Sequence, residues 1–195
     1  MSLLTSFLVR LMCIAPLLGT APGFAQIARP LDLAELSQRA GQVVVGRCVE
    51  VQTESLAGYA NIPVTKITLA VSQVLKGTPT QTLVFRQYGA SNDPGLPHLK
   101  GFQKGEEVLL LLRTPSKVGL TSPVGIEQGR FAIRDDAQGV KVAQNGRSNW
   151  DLFPLERVTG ILSTGELQEV QRANQGEPLR LTLLTKILQW LITQN

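Results

Sequence analysis

Five consecutive apolar residues, Val108-Leu109-Leu110-Leu111-Leu112, stand between Glu107 and Arg113. A run that short reads as a strand, and a strand apolar on both sides must be covered on both faces. The chain therefore has to build a sheet with packed material on either side of its centre.

The surrounding sequence supplies the rest of such a sheet. Val43 to Val51 is rich in β-branched residues and places Val43, Val45, Val49 and Val51 on one side; Gly46 and Arg47 interrupt it, the mark of a bulge or a close backbone approach. Glu54 to Pro63, with Gly58, Asn61 and Pro63, reads as a loop. Thr65 to Val71 then alternates, with Ile67, Leu69 and Val71 inward and Lys66, Thr68 and Ser72 outward, and Lys76-Gly77-Thr78-Pro79 breaks the chain. Thr82 to Tyr88 forms a third strand, followed by a long Gly- and Pro-rich loop from Gly89 to Gly105. Gly119 to Pro123 adds a short strand. Ile126 to Arg134 and Val140 to Gln144 flank the turn Asp135-Asp136-Ala137-Gln138-Gly139, and Asn145-Gly146 marks another turn.

Helices are expected only at the two ends of this β region. Leu31 to Ala40 is one, with Asp32 and Glu35 spaced as a capping box and Gly41 as its stop. Ser163 and Glu166 repeat the box for a helix to Ala173, and Pro178 suits the first turn of a last helix. In Leu179 to Ile192, Leu181, Leu184, Ile187, Leu188 and Leu191 share one face; Leu183, Trp190 and Ile192 widen the apolar arc. That width leaves two readings open: a helix docked on the sheet, or one offering Leu184, Leu188, Trp190 and Leu191 to a partner groove or membrane surface. The expected fold is mainly β: a small antiparallel, OB-like barrel or a sandwich of six or seven strands, with one N-terminal and two C-terminal helices.

The first 25 residues differ in kind. Met1 to Ala25 holds no acidic residue and one Arg, and the apolar run Leu11 to Leu18 gives way to small residues ending at Gly23 and Ala25. This is the pattern of a cleavable secretory signal, and the run is too short for a span of ~30 Å of hydrocarbon. The expected organisation is a signal peptide over 1–25, a β domain over 26–153 and a helical segment over 154–195. Cleavage after Ala25 leaves 18 basic against 15 acidic residues and removes Cys13, so Cys48 becomes the only cysteine and no intramolecular disulfide can form. Cys48 reads as a small buried hydrophobe, with an intermolecular disulfide or a reactive thiol as the alternative.

Composition excludes several kinds of chemistry. One His and two Cys cannot supply a site of clustered His and Cys ligands, and no phosphate loop, dinucleotide-binding glycine pattern, His-Glu-x-x-His helix or Gly-x-Ser-x-Gly elbow is present. Lys and Arg are scattered, never three together, which is not the basic stripe of a nucleic-acid surface. No cofactor or metal is expected. Two polar segments stand out instead: Gly125-Ile126-Glu127-Gln128-Gly129-Arg130-Phe131, with Glu127, Gln128 and Arg130 between glycines, and the strand end Arg86-Gln87-Tyr88-Gly89. Glu127, Gln128, Arg130, Arg86 and Tyr88 are the candidate binding residues.

The stretches Val43 to Arg47, Val74-Leu75-Lys76-Gly77, Gly105 to Leu112 and Gly129-Arg130-Phe131 resemble a large group of exported bacterial proteins of unknown function. Their order, over residues 32–134, is also similar to the netrin-like modules of tissue inhibitors of metalloproteinases, which implies an OB-type barrel. Those inhibitors reach a catalytic zinc through a disulfide-bonded N-terminal cysteine; the expected mature start here is Gln26, so the resemblance carries the barrel and not that inhibition. The functional expectation is a noncatalytic periplasmic or secreted module that binds another envelope or secreted protein. The alternatives are a hydrolase using carboxylates and His98 in the 89–105 loop, and a membrane-surface structural protein.

Overall fold

The computed structural model describes residues 29–89 and 101–194. The expected signal peptide and His98 lie outside the described residues.

The protein is mainly β. A capped helix α1 (Leu33–Arg39) leads into the long strands β1 (Gln42–Leu56) and β2 (Tyr59–Lys76), then β3 (Thr82–Tyr88) and β4 (Glu107–Leu112). After one 3-10 turn over Ile126–Gly129 come β5 (Arg130–Asp135) and β6 (Lys141–Asn145). The short helix α2 (Leu155–Val158), helix α3 (Thr164–Ala173), the two-residue strand β7 (Leu179–Arg180) and helix α4 (Leu181–Thr193) complete the chain. Seven strands form one antiparallel sheet in the order β3-β2-β1-β4-β5-β6-β7.

One half of this sheet rolls into a small barrel. After β4 the chain returns between β4 and β3: Pro123 bridges Leu112, Ser122 C=O accepts from Arg113 N–H (3.0 Å), and Leu120 lies parallel to Arg86, whose carbonyl accepts from Thr121 N–H (2.9 Å). The ring thus runs β1, β2, β3, the 120–123 segment, β4 and back to β1. Inside it lie Val44, Cys48, Ile67, Leu69, Phe85, Phe102, Val108, Leu110 and Leu112. The opposite face of β1 and β4, continued by β5 and β6, carries Val43, Val45, Leu109, Leu111, Phe131, Ile133 and Ala143 into a second core beneath the helices. The five-residue apolar run is therefore the wall shared by two cores, as its composition requires.

Bulges decide which β1 side chain faces where. The register shifts between Val45 and Gly46 and between Cys48 and Glu50. The first puts the extra residue, Ser72, on β2 and leaves the alternation of β1 unchanged; the second puts it on β1, at Val49, and reverses that alternation. Val43 and Val45 consequently face the helices, Val49 is the extra residue and is exposed, and Val51 packs on the barrel interior opposite Ile67. The one-sided reading of these four valines is corrected accordingly. Gly46 is needed at its bulge because a Cβ there would sit 2.6 Å from the Ala70 carbonyl oxygen.

Two further expectations change. The segment Glu54 to Pro63 is no loop: β1 and β2 run on as a paired ribbon, and only Ala57 and Gly58 turn, Gly58 at φ +80°. Pro178 does not open the last helix, because Leu179–Arg180 first pairs with Val142 and Ala143 and α4 begins at Leu181.

Both capping boxes form. In the second, Glu166 accepts from Ser163 N–H (2.8 Å) and from Lys186 Nζ on α4 (2.9 Å), and these bonds hold its carboxyl down at about 2. A carboxyl depressed below its ordinary value stabilises the folded state above that ordinary value, and the contribution is lost as pH falls from about 4.5 to about 2. Thermal unfolding followed between pH 2 and 6 is expected to show part of the acid decline in this window, and Glu166→Gln should flatten that part.

Candidate functional site

The sequence-flagged residues fall into three places. Glu127, Gln128 and Arg130 come together beside the barrel, where a strained turn aims them. Gly125 and Ile126 are both left-handed (φ 63° and 62°), the latter a conformation that a β-branched residue rarely adopts. The turn closes tightly, since a Cβ on Gly129 would lie 2.6 Å from the Val124 carbonyl oxygen. It delivers Gln128 inward, where Oε1 accepts from Leu31 N–H (2.8 Å) and Nε2 donates to the Arg29 carbonyl (3.3 Å). Gln128 therefore holds the chain entering α1 and is buried.

Arg130 is 8% exposed. Its guanidinium donates to Glu106 (2.8 Å) and to the Gly101 carbonyl (3.3 Å), lies 3.9 Å from Glu127, and sits 4.2 Å above the Phe102 ring, which meets Phe85 edge-on inside the barrel. Cation, carboxylate and ring together close the barrel where the chain enters β4. Cys48 lies just inside. Burial, and then the Glu106 charge, raise its thiol above the ordinary range, against smaller opposing effects of the Glu50 carbonyl and Arg130. A buried, protonated thiol is a packing residue. Gln128 and Arg130 are thus fasteners, not an open binding face.

Arg86 and Tyr88 lie elsewhere, on the outer face of β1, β2 and β3. Because the Val49 bulge reverses β1, Glu50, Gln52 and Glu54 point outward and line up across the ribbon. The cross-strand rows are Glu54–Val64–Tyr88, Gln52–Lys66–Arg86 and Glu50–Thr68–Val84. Arg86 Nε donates to Glu54 (2.5 Å), and Gln52 donates to Glu50 (2.9 Å). Val84 is 46% exposed and Tyr88 65%. The result is a surface with one ion pair, Glu54–Arg86, and with an aliphatic and an aromatic side chain exposed at one margin.

Leu184, Leu188 and Leu191 are core residues at 0, 0 and 3% exposure, and Trp190 packs half-buried against the same core. Their reading as a contact surface is corrected: α4 is the roof of the second core, so its wide apolar arc is spent inside. Among the described residues no helix is long and apolar enough to cross a membrane, and no group of three or more His, Cys, Asp or Glu could hold a metal ion. Sequence reasoning missed Trp150, 56% exposed in a turn whose neighbours Ser148, Asn149 and Asp151 are left-handed.

The chain matches no known family model, and no curated protein sequence matches it.

Proposed function

We propose that this protein is a noncatalytic exported module, delivered by the 1–25 signal, that binds another envelope or secreted protein through the outer face of β1, β2 and β3. The observation that carries the reading is Tyr88 with Val84: two exposed, apolar-bodied side chains beside the Glu54–Arg86 ion pair. Tyrosine and arginine are among the residues that dominate the binding energy of protein interfaces. Of the two readings of α4, the docked helix leaves its leucines in the core and this face as the contact surface.

The test is cross-linked affinity capture by chain 26–195 from the envelope of its own source. Tyr88→Ser is expected to reduce recovery of the enriched partner at least ~10-fold, the loss of an interface anchor worth ~2 kcal/mol. Trp150→Ser, equally exposed but on another face, should leave recovery unchanged. Identical recoveries from Tyr88→Ser and the parent protein would discard the face. N-terminal sequencing of the exported protein should begin at Gln26.

A further inference from the structure

The ribbon of β1 and β2 has one guarded edge and one open edge. On the β2 side Pro63 has no N–H to offer, and its carbonyl accepts from Gly89 N–H (2.9 Å). On the β1 side, pairing with the described chain before β4 stops at Cys48, whose carbonyl accepts from Gly105 N–H (2.7 Å) and whose N–H donates to the Glu106 carbonyl (2.8 Å).

The bond from Thr121 N–H to the Arg86 carbonyl sets the phase beyond that point. It turns the backbone groups of Arg86 away from β2, so Lys66, paired with Arg86, turns its own toward β1. Lys66 stands opposite Gln52, Thr68 opposite Glu50 and Val64 opposite Glu54. Glu50, Gln52 and Glu54 therefore bond to β2, while Val51, Thr53 and Ser55 each turn an N–H and a C=O outward. Those groups have no partner among the described residues. Natural sheet edges carry a device against pairing, such as a proline, a lysine, an inward charge or a bulge. Val51 to Ser55 carries none of these. Its one charge, Glu54, is bonded to Arg86 (2.5 Å), its residues Gln52, Thr53 and Ser55 are exposed, and the Val49 bulge precedes the stretch.

We propose that this edge joins the same edge of a second copy, antiparallel about a two-fold axis at Thr53. In that register Val51 pairs with Ser55 of the second copy, Thr53 with Thr53 and Ser55 with Val51, and every outward N–H and C=O on both copies finds a partner. The side chains agree. On the outer face Gln52 stands opposite Glu54 of the second copy, twice by symmetry, and no two like charges are directly opposed. Threonine faces threonine across the axis, a favourable cross-strand pair. This self-complementarity selects a second copy over an unrelated strand. The dimer would join two outer faces into one surface, β3-β2-β1 continued by β1-β2-β3, with Tyr88 at each margin. It is independent of the binding-module reading.

Sedimentation velocity of chain 26–195 from about 1 to about 300 µM reads the association, and micromolar dissociation is expected of an interface this small. Thr53→Pro removes an N–H that serves no bond to β2, deletes both central bonds of the dimer and should weaken it at least ~10-fold. Thr53→Lys sets two ammonium groups against each other across the axis and should weaken it at least ~5-fold, with Thr53→Val within about threefold of the parent. Gln52→Glu should loosen the dimer and Gln52→Lys tighten it, each by ~3-fold, because each copy's residue 52 faces Glu54 of the other. Should Thr53→Pro fail to fold, Thr53→Lys, at an exposed position, carries the test. A parent that sediments as a monomer throughout overturns the proposal, and so does a dimer that none of these substitutions alters. A monomeric parent whose envelope capture still depends on Tyr88 discards the dimer and keeps the binding face. A dimer broken by Thr53→Lys, with capture indifferent to Tyr88→Ser, does the reverse.

Discussion

Replacing Leu188 by Ala is expected to cost about 3 kcal/mol of folding stability, within the range of roughly 2–5 kcal/mol for a fully buried leucine. Leu188 is 0% exposed and shares one core with α1 residues Leu33 and Leu36 and with Leu109, Leu111 and Phe131 of the sheet. Truncation removes transferred methyl groups and leaves a cavity between layers that β4 and α1 cannot both move to fill. In a domain of this length the melting temperature should fall by about 10 °C. Gln189→Ala, exposed on the same helix turn, should stay within about 0.5 kcal/mol. Urea unfolding of the two variants reads the difference directly. A Leu188→Ala protein as stable as its parent would return α4 to the surface and reopen it as a contact. Deleting residues 177–195 is a poor substitute for this experiment, because it also strips Leu179, Leu183, Leu184, Ile187 and Leu191 from the core.

How much of this fold the sequence revealed depends on the range of the interaction responsible. Capping boxes are local, three residues end to end, and both were legible from Asp32 with Glu35 and Ser163 with Glu166. So was the two-faced burial of Val108 to Leu112, since composition alone demands it. Alternation along β1 was legible only as far as Cys48. A bulge is fixed by the pairing of two strands, and Gly46 advertised one, whose extra residue Ser72 falls on β2, without showing that Val49 would bulge β1 itself. The ribbon over residues 54–63 was hidden for a related reason: Asn61 and Pro63 are poor strand formers in isolation, but pairing with β1 overrides them.

The candidate site divides in the same way. Arg86 and Tyr88 were legible as the end of an alternating strand. The fastening roles of Gln128 and Arg130 were not, because Leu31 lies 97 residues from Gln128 and Glu106 lies 24 from Arg130. A polar residue between glycines looks the same whether it meets water or a distant backbone. The arc of α4 had the same ambiguity, and only the presence of both α1 and a sheet face against it settled where Leu184, Leu188 and Leu191 go.

Asn149 shows what such hidden fasteners are worth. It is fully buried and left-handed (φ 60°). Its Nδ2 donates to the carbonyls of Ala143 (3.2 Å) and Glu177 (3.1 Å), and its Oδ1 accepts from Asn145 N–H (3.0 Å). One amide thus ties β6, the turn after it and the chain that becomes β7. Asn149→Ala would leave three backbone groups without these partners, at ~1–3 kcal/mol for each that stays buried, and would place a Cβ-bearing residue with no compensating amide in the left-handed region at about 1 kcal/mol more. Partial rehydration brings the expected loss to about 3–5 kcal/mol, measured by chemical unfolding. Asn149→Gly should be milder by about 1 kcal/mol, since it relieves the backbone but not the lost bonds. Asn149→Asp should be no better than Ala, because it keeps the acceptor and sets a buried negative charge against two carbonyl oxygens. Amide exchange of the β6–β7 pair, at Val142 with Arg180, should accelerate in all three variants ahead of the barrel strands. If Ala and Gly prove equal and within 1 kcal/mol of the parent, the turn is held by its backbone alone and the amide is incidental.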